Sequence, residues 1–385
     1  MRIAVTGGGT GGHIYPAVAV CEALKALDPD GELLYIGGTS GMETTIVPAA
    51  GIPFKAVTAR KMPMSLSMAT VRGLAALVKG YLEARPILKA FRADVLVGTG
   101  GYVAAAAALA AAHLGIPVVI LENNRVAGRT NLILARYAKR ICVSFSETTR
   151  EFPAEKCVLT GLPLRAGTVA ADTITSAMAR AAFTGLQPDL FTVTVIGGSQ
   201  GAKAINRIIA EAAPILTPAR VQILHQTGKA NYDETATMAA KAFEAAGLPA
   251  NADGLCLKPY LEPLEVPLAL RAADLLVCRG GISTLSEAAA NGVPMVIIPL
   301  PTAYADHQTA NARSLQDAGA AMCLPEAGMD GVALAERILA LQANPTKLQS
   351  MRASSCGAGK PDAAADVARL ALKLASPKHV GDRVN

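Results

Sequence analysis

Tryptophan is absent from this 385-residue chain, and aromatic residues make up only 4% of it. The interior must therefore be aliphatic, and the base-stacking platforms of nucleic-acid binders are missing. The seven cysteines (Cys21, Cys142, Cys157, Cys256, Cys278, Cys323 and Cys356) are odd in number, and no pair has CxxC spacing. That argues against a disulfide frame or a zinc ribbon and for core thiols in a reducing compartment. No apolar run reads as a membrane span. The most hydrophobic window, Val95 to Leu121, is broken by Gly98, Gly100, Gly101, His113, Gly115 and Pro117, and reads as strand–turn–helix–turn–strand. A secretory leader is not expected, because a strand-like run begins at residue 2. Acidic charge is scarce in the first half: residues 1–165 hold 18 Lys/Arg against 11 Asp/Glu, and the rest 18 against 19. Such a bias suits a phosphorylated substrate or an anionic membrane surface; the shortage of aromatics argues against nucleic acid.

What is present is a glycine-rich turn that occurs twice. Strand-like Arg2–Thr6 runs into GGGTGGH, Gly7 to His13, and strand-like Thr192–Ile196 runs into GGSQGA, Gly197 to Ala202. Each leads into a helical pattern, so glycine backbone and a helix N-terminus are offered to an anion. Buried-strand runs alternate with helices: Leu33–Ile36, Val95–Val97, Val118–Leu121 and Ile141–Ser144, then Gln222–His225, Leu275–Cys278 and Met295–Ile298. The halves also match at DVLVGTGGY (Asp94–Tyr102) and DLLVCRGGI (Asp274–Ile282). The expected fold is α/β: two doubly wound, Rossmann-like domains facing a cleft. Residues 1–162 would form the first and 163–355 the second, with helix 362–375 packing back on the first.

Gly7, Gly9 and Gly12 satisfy GxGxxG, but the second strand ends in Gly37-Gly38 where a ribose-binding acid belongs, so a nicotinamide cofactor is not expected. His13 stands at the mouth of the first turn, as a substrate contact or as a cap. Ser199 and Gln200 occupy the second turn and suit a phosphate. In RGGISTLSE (Arg279–Glu287), Ser283, Thr284 and Glu287 open a helix at a strand's carboxyl end; Glu287 suits a ribose or its own helix dipole. Asp306, His307 and Gln308 follow the next strand, and HQTGK (His225–Lys229) reads either as lining or as plain turn chemistry. Asp28-Pro29-Asp30 reads as a surface turn and not as a metal motif. Arg60 to Arg92 carries seven Lys/Arg against Glu83 alone, interleaved with Met62, Met64, Leu66, Met68, Val71, Leu74 and Leu77. This suits docking onto anionic lipid.

Together, GGGTGGHIYPA, GTGGYV, LENNRVAGRTN, GLPLR, GGSQGA, HQTGK, CRGGISTLSE and ADHQTANA resemble the MurG family, bacterial cell-wall N-acetylglucosaminyltransferases of GT-B fold. The resemblance implies transfer of N-acetylglucosamine from UDP-N-acetylglucosamine to the 4-hydroxyl of undecaprenyl-pyrophosphoryl-N-acetylmuramyl-pentapeptide (lipid I), with inversion. Related GT-B enzymes, a diacylglycerol glycosyltransferase or a UDP-N-acetylglucosamine 2-epimerase, are the alternative. By resemblance Arg165, Ser199, Gln200, Leu261, Ile282, Ser283, Thr284, Leu285, Ser286, Glu287 and Gln308 hold the donor. Thr10, Gly11, Gly12 and Asn124 face the sugar or the acceptor. Gly100, Gly101 and Tyr102 meet the acceptor pyrophosphate. His13 is the expected base, with Glu122 the weaker candidate. No metal or other cofactor is expected, and the protein would sit on the cytoplasmic face of the inner membrane. The chain departs from the family pattern at LENN (Leu121–Asn124, usually HEQN) and at GGYVAAA (Gly100–Ala106, usually GGYVSxP).

Overall fold

A computed structural model describes residues 1–61, 68–249 and 254–376. The chain forms two compact units. One is Met1–Ala166, rejoined by the chain from Pro361 onward; the other is Gly167–Lys360.

In the first unit seven strands alternate with helices. The strands are β1 (Arg2–Thr6), β2 (Glu32–Gly38), β3 (Phe54–Val57), β4 (Val95–Gly98), β5 (Val118–Glu122), β6 (Arg140–Val143) and β7 (Cys157–Leu159). The helices are α1 (Gly11–Leu27), α2 (Glu43–Ala49), α3 (Met68–Phe91), α4 (Gly101–His113) and α5 (Arg129–Leu134). The sheet order is β3-β2-β1-β4-β5-β6-β7, with every pairing parallel. Strands covered on both faces must be apolar through their middles, and β1, β4 and β5 are: Ile3, Val5, Val95, Val97, Val119 and Leu121 point into one core, Ala4, Leu96, Val118 and Ile120 into the other.

The second unit repeats the plan. Its strands are β8 (Phe191–Ile196), β9 (Val221–Gln226), β10 (Leu255–Lys258), β11 (Leu275–Cys278), β12 (Met295–Ile297) and β13 (Ala321–Cys323). Its helices are α6 (Ser176–Ala181), α7 (Lys203–Leu216), α8 (Tyr232–Ala245), α9 (Glu265–Ala272), α10 (Ile282–Ala290), α11 (His307–Asp317), α12 (Gly331–Gln342) and α13 (Pro345–Ala358). The sheet order is β10-β9-β8-β11-β12-β13, again all parallel. Counted from each unit's first strand, both sheets read 3-2-1-4-5-6, and the first adds one edge strand. In each, strand order reverses beside the strand that leads into the glycine turn, which is where open α/β sheets bind ligands.

The sequence patterns locate the central strands but miss β3, β7, β10 and β13. These lie at or beside sheet edges, are three or four residues long, and mostly keep half-buried or exposed side chains. They therefore lack the long apolar run that marks the others. Cys21, Cys142 and Cys278 are core thiols, whereas Cys356 is exposed; all seven are free. The first unit ends at Ala166, a few residues past GLPLR. Its last residues are tied to α1: the Arg165 guanidinium lies 4.7 Å above the Tyr15 ring, and the Ala166 N–H donates to Glu22 Oε2 at 3.3 Å.

Two helices of the first unit differ in what they bury. The final helix, α14 (Ala363–Ala375), packs against α1, with Val367, Ala368, Ala371 and Leu374 in the same core as Ile3 and Val5. By contrast, α3 turns a row of apolar side chains outward. Met68, Val71, Leu74, Val78 and Leu82 recur at helical spacing and are 53–68% exposed, with Arg72, Lys79, Arg85 and Lys89 exposed on the same helix. Met62, Met64 and Leu66 lie outside the described residues.

Because α14 completes the first unit's core, Leu374→Ala is expected to cost about 2–4 kcal/mol, and Val367→Asp more. Thermal unfolding followed by circular dichroism checks this. Unchanged melting in both variants would show that α14 is not part of the folded core.

Candidate active site

In the first unit three loops meet at the carboxyl ends of β1, β4 and β5. His13 lies on the first turn of α1, and its Nδ1 is 3.0 Å from the Thr99 carbonyl. That carbonyl can only accept, so Nδ1 carries the proton and Nε2 keeps its lone pair. The Thr99 hydroxyl donates back to the His13 carbonyl at 2.7 Å. The imidazole packs on the loop after β4: a Cβ at Gly100 would come 2.9 Å from Nδ1. At Gly101, φ is +79° and a Cβ would lie 2.4 Å from the Gly8 carbonyl, so only glycine fits. Burial holds the imidazole below its ordinary value, against a smaller opposing push from the Thr99 hydrogen bond. Near neutral pH His13 is therefore a neutral base.

Glu122 ends β5 and points inward. It accepts from the Asn124 N–H at 3.0 Å, the Gly128 N–H at 2.8 Å and Asn131 Nδ2 at 2.8 Å. Burial raises its pKa, and these three bonds push the other way. The carboxylate thus organises the LENN loop. Asn123 Nδ2 extends that loop to the Gly12 carbonyl at 3.0 Å. Thr10 is exposed, Asn124 and Tyr102 are half-buried, and the Tyr102 ring covers Gly9.

In the second unit, Gly197–Ala202 links β8 to α7. The turn is held from behind by HQTGK, which is therefore structural. Gly201 lies so close to the Thr227 carbonyl that a Cβ would come within 1.8 Å of it. Gln226 Nε2 donates to the Gly198 carbonyl and Asn231 Nδ2 to the Gln200 carbonyl, both at 3.0 Å. Ser199 and Gln200 are exposed, and the space beside the Gly198 Cα is open. The next strand presents a second open N-terminus: α10 has no side-chain cap, and nothing lies within 4 Å of a Cβ at Gly281. Ser283, Thr284, Ser286 and Glu287 are half-buried around it, whereas Ile282 and Leu285 face the core. Leu261 is core as well, so its side chain is not at the site surface. Gln308 Oε1 accepts from the Gly280 N–H at 3.1 Å and the Leu300 N–H at 3.0 Å, which leaves its amide nitrogen as the outward group. Asp306 and Ala305 both have positive φ, +51° and +50°. That strain sits at the site's rim.

Arg165 belongs to the first unit, stacked on Tyr15, whereas the other expected donor residues lie in the second. Sequence reading quoted motifs that contain Thr99, Asn123, Asn131 and Gln226 without giving these four a role of their own, and it missed Asn206 and Asn231. The Arg279 side chain turns inward, pairs with Glu326 at 2.5 Å and donates to the Ile298 carbonyl at 3.1 Å. Among the described residues no group of three or more His, Cys, Asp or Glu is placed to hold a metal ion.

Residues 3–143 match the family model of the glycosyltransferase family 28 N-terminal domain, and residues 192–367 that of its C-terminal domain. A Limosilactobacillus fermentum protein named UDP-N-acetylglucosamine–N-acetylmuramyl-(pentapeptide) pyrophosphoryl-undecaprenol N-acetylglucosamine transferase is 40% identical, covering 98% of this chain and all of that one. A protein of the same name from Desulfitobacterium hafniense is 39% identical, covering 97% and 100%. The crystal structure of Acinetobacter baumannii MurG superposes with a TM-score of 0.77 at 30% identity, covering 97% and 99%. The Neisseria meningitidis UDP-GlcNAc 2-epimerase structure reaches 0.68 at 14% identity over 97% and 100%, a likeness of fold alone.

His225, behind the second turn, is fully buried. Its Nε2 is 3.0 Å from Asn206 Oδ1, its Nδ1 has no partner, and burial lowers its pKa from 6.5 to about 3. Its contribution to stability is complete above pH 6.5, where the unfolded imidazole is also neutral. It is lost as pH falls from 6.5 toward about 3, by up to about 1.4 kcal/mol per pH unit. Urea denaturation of wild type and His225→Gln between pH 7 and pH 4 should show the wild type losing more. Parallel curves would refute this.

Proposed function

Since this chain belongs to glycosyltransferase family 28, among the MurG N-acetylglucosaminyltransferases, we infer that it moves N-acetylglucosamine from UDP-N-acetylglucosamine to lipid I, giving lipid II. The observation that carries this reading is the pair of unfilled helix N-termini in the second unit, at Gly197–Ala202 and at α10. They follow β8 and β11, the two strands between which the sheet order reverses, and a helix N-terminus at that point suits a phosphate.

The second unit takes the donor. Ser199, Gln200 and the N–H groups of the turn meet the diphosphate, Glu287 holds the ribose, and the amide nitrogen of Gln308 reaches the sugar. The first unit takes the acceptor at Thr10–Gly12, Asn124 and Gly100–Tyr102. His13 Nε2 removes the proton from the acceptor 4-hydroxyl. The freed oxygen bonds to the anomeric carbon as the bond to UDP breaks, and the carbon inverts through an oxocarbenium-like state. The leaving diphosphate keeps the electron pair. Its charge is met by the α7 dipole and the N–H groups at the start of that helix, so the chemistry asks for no metal. Glu122, with three hydrogen bonds to satisfy, holds the LENN loop.

The protein binds the anionic cytoplasmic face of the inner membrane through α3, with its apolar row inserted and its basic residues on headgroups. Among the described residues no helix is long and apolar enough to cross a membrane.

UDP should be released only when lipid I is present; release without it would favour an epimerase or a hydrolase. His13→Ala should lower turnover by about 100-fold or more. The acid limb of kcat/KM should fall below pH 6.5, because burial keeps His13 neutral to lower pH than a free imidazole. Near-normal turnover in His13→Ala would remove it as the base.

Vesicles containing phosphatidylglycerol should retain the protein at low salt and lose it as salt rises, and Leu74→Asp with Leu82→Asp should abolish retention. Sedimentation measures both. Salt-independent binding, or binding unaffected by the two aspartates, would exclude α3 as the docking element.

A further inference from the structure

Behind the first glycine turn lies a carboxylate for which the reaction scheme above has no use. Glu43 begins α2, yet its side chain does not cap that helix. It is fully buried, and it makes no ion pair among the described residues. Its Oε2 accepts the Gly9 N–H at 3.3 Å, and its Oε1 has no partner. A buried carboxylate with one hydrogen bond and no counter-charge is costly to fold.

The chain makes room for it on several sides. A methyl group at Gly8 would stand 2.5 Å from Oε1, one at Gly41 2.6 Å from Oε2, and one at Gly38 3.0 Å from Oε1. Two neighbours complete the support of the turn. The Tyr35 hydroxyl donates to the Gly7 carbonyl at 2.9 Å, and the Tyr102 ring closes over Gly9 from the other side, 2.8 Å from where a Cβ would stand. Gly9 has φ +84°. Its N–H thus points inward to Glu43, not outward to a ligand. The equivalent turn of the second unit is held otherwise: among the described residues no carboxylate bonds it, Gln226 and Asn231 donate to its Gly198 and Gln200 carbonyls, and its Gly201 N–H closes on the Gly198 carbonyl at 2.8 Å.

We propose that Glu43 is a positioning residue: its carboxylate takes the Gly9 N–H from within, fixing the turn that presents His13 to the acceptor and packs against Tyr102. The first turn is then a rigid support for a base, braced by the Tyr102 ring, not a second phosphate cradle. This rests on the transferase reading, because it assigns the first unit to the acceptor.

The test compares Glu43→Ala, Glu43→Asp and Glu43→Gln. The aspartate keeps the carboxyl group but is one methylene too short for Gly9, and the glutamine keeps an accepting oxygen at the right place. In Ala and Asp, kcat/KM for lipid I should fall about tenfold or more, with donor KM and the UDP-induced rise in melting temperature unchanged. Gln should recover most of the loss. Amide hydrogen exchange in peptides covering residues 7–13 should quicken in Ala and Asp. If Ala does not fold, Asp decides. Wild-type exchange and wild-type lipid I kinetics in folded Ala or Asp would overturn the proposal, as would equal losses for donor and acceptor. A wild type that ignores lipid I would sink the transferase reading instead, and the exchange experiment would still judge Glu43.

Discussion

Close approach of backbone to backbone at the carboxyl ends of the strands is the constraint on which both halves depend. Gly201 lies against the Thr227 carbonyl and Gly101 against the Gly8 carbonyl, at separations no side chain permits. These contacts lock each ligand-facing loop to its neighbour, so the loops behave as extensions of the sheet. His13 gains most from this. Its ring rests on Gly100 and Gly101 and is hydrogen-bonded to Thr99, so its tautomer and orientation are set before any substrate arrives.

The two halves share a topology and differ in chemistry. Both sheets bring a glycine turn to the switch point. In the second unit that turn is held by its Gly198 and Gln200 carbonyls, and Ser199 and Gln200 stand exposed on it. In the first, an N–H group is already taken by a carboxylate of the protein, and the helix N-terminus carries an imidazole. Duplication supplies two edges of the same design, and a few polar side chains behind the turns decide what each edge can do.

How much of this was legible in the sequence follows from where information is local. The apolar runs of β1, β4, β5, β8 and β11 and the glycines after β1, β4, β8 and β11 announce themselves within ten residues. The short, partly exposed strands Phe54–Val57 and Leu255–Lys258 do not, since their pairing partners and not their own sequences make them strands. The same holds at the site. His13, Ser199, Glu287 and the glycines could be found by position. Thr99, Glu43 and Asn206 could not, because each acts on a loop that only the fold brings near it: Thr99 meets His13 across 86 residues and Glu43 meets Gly9 across 34. Family likeness named Leu261, Ile282 and Leu285 as contacts. Their side chains are core, so any such contact would come from the backbone.

The return of α14 to the first unit has a consequence for biosynthesis. A ribosome finishes residue 166 long before it reaches Ala363, and until then the face of α1 that meets Val367, Ala368, Ala371 and Leu374 has no cover. At about 5–20 residues per second, the intervening stretch takes roughly 10–40 s to translate. The contiguous second unit can complete its core first, which reverses the usual N-to-C order. The nascent first half meanwhile waits with that apolar surface uncovered.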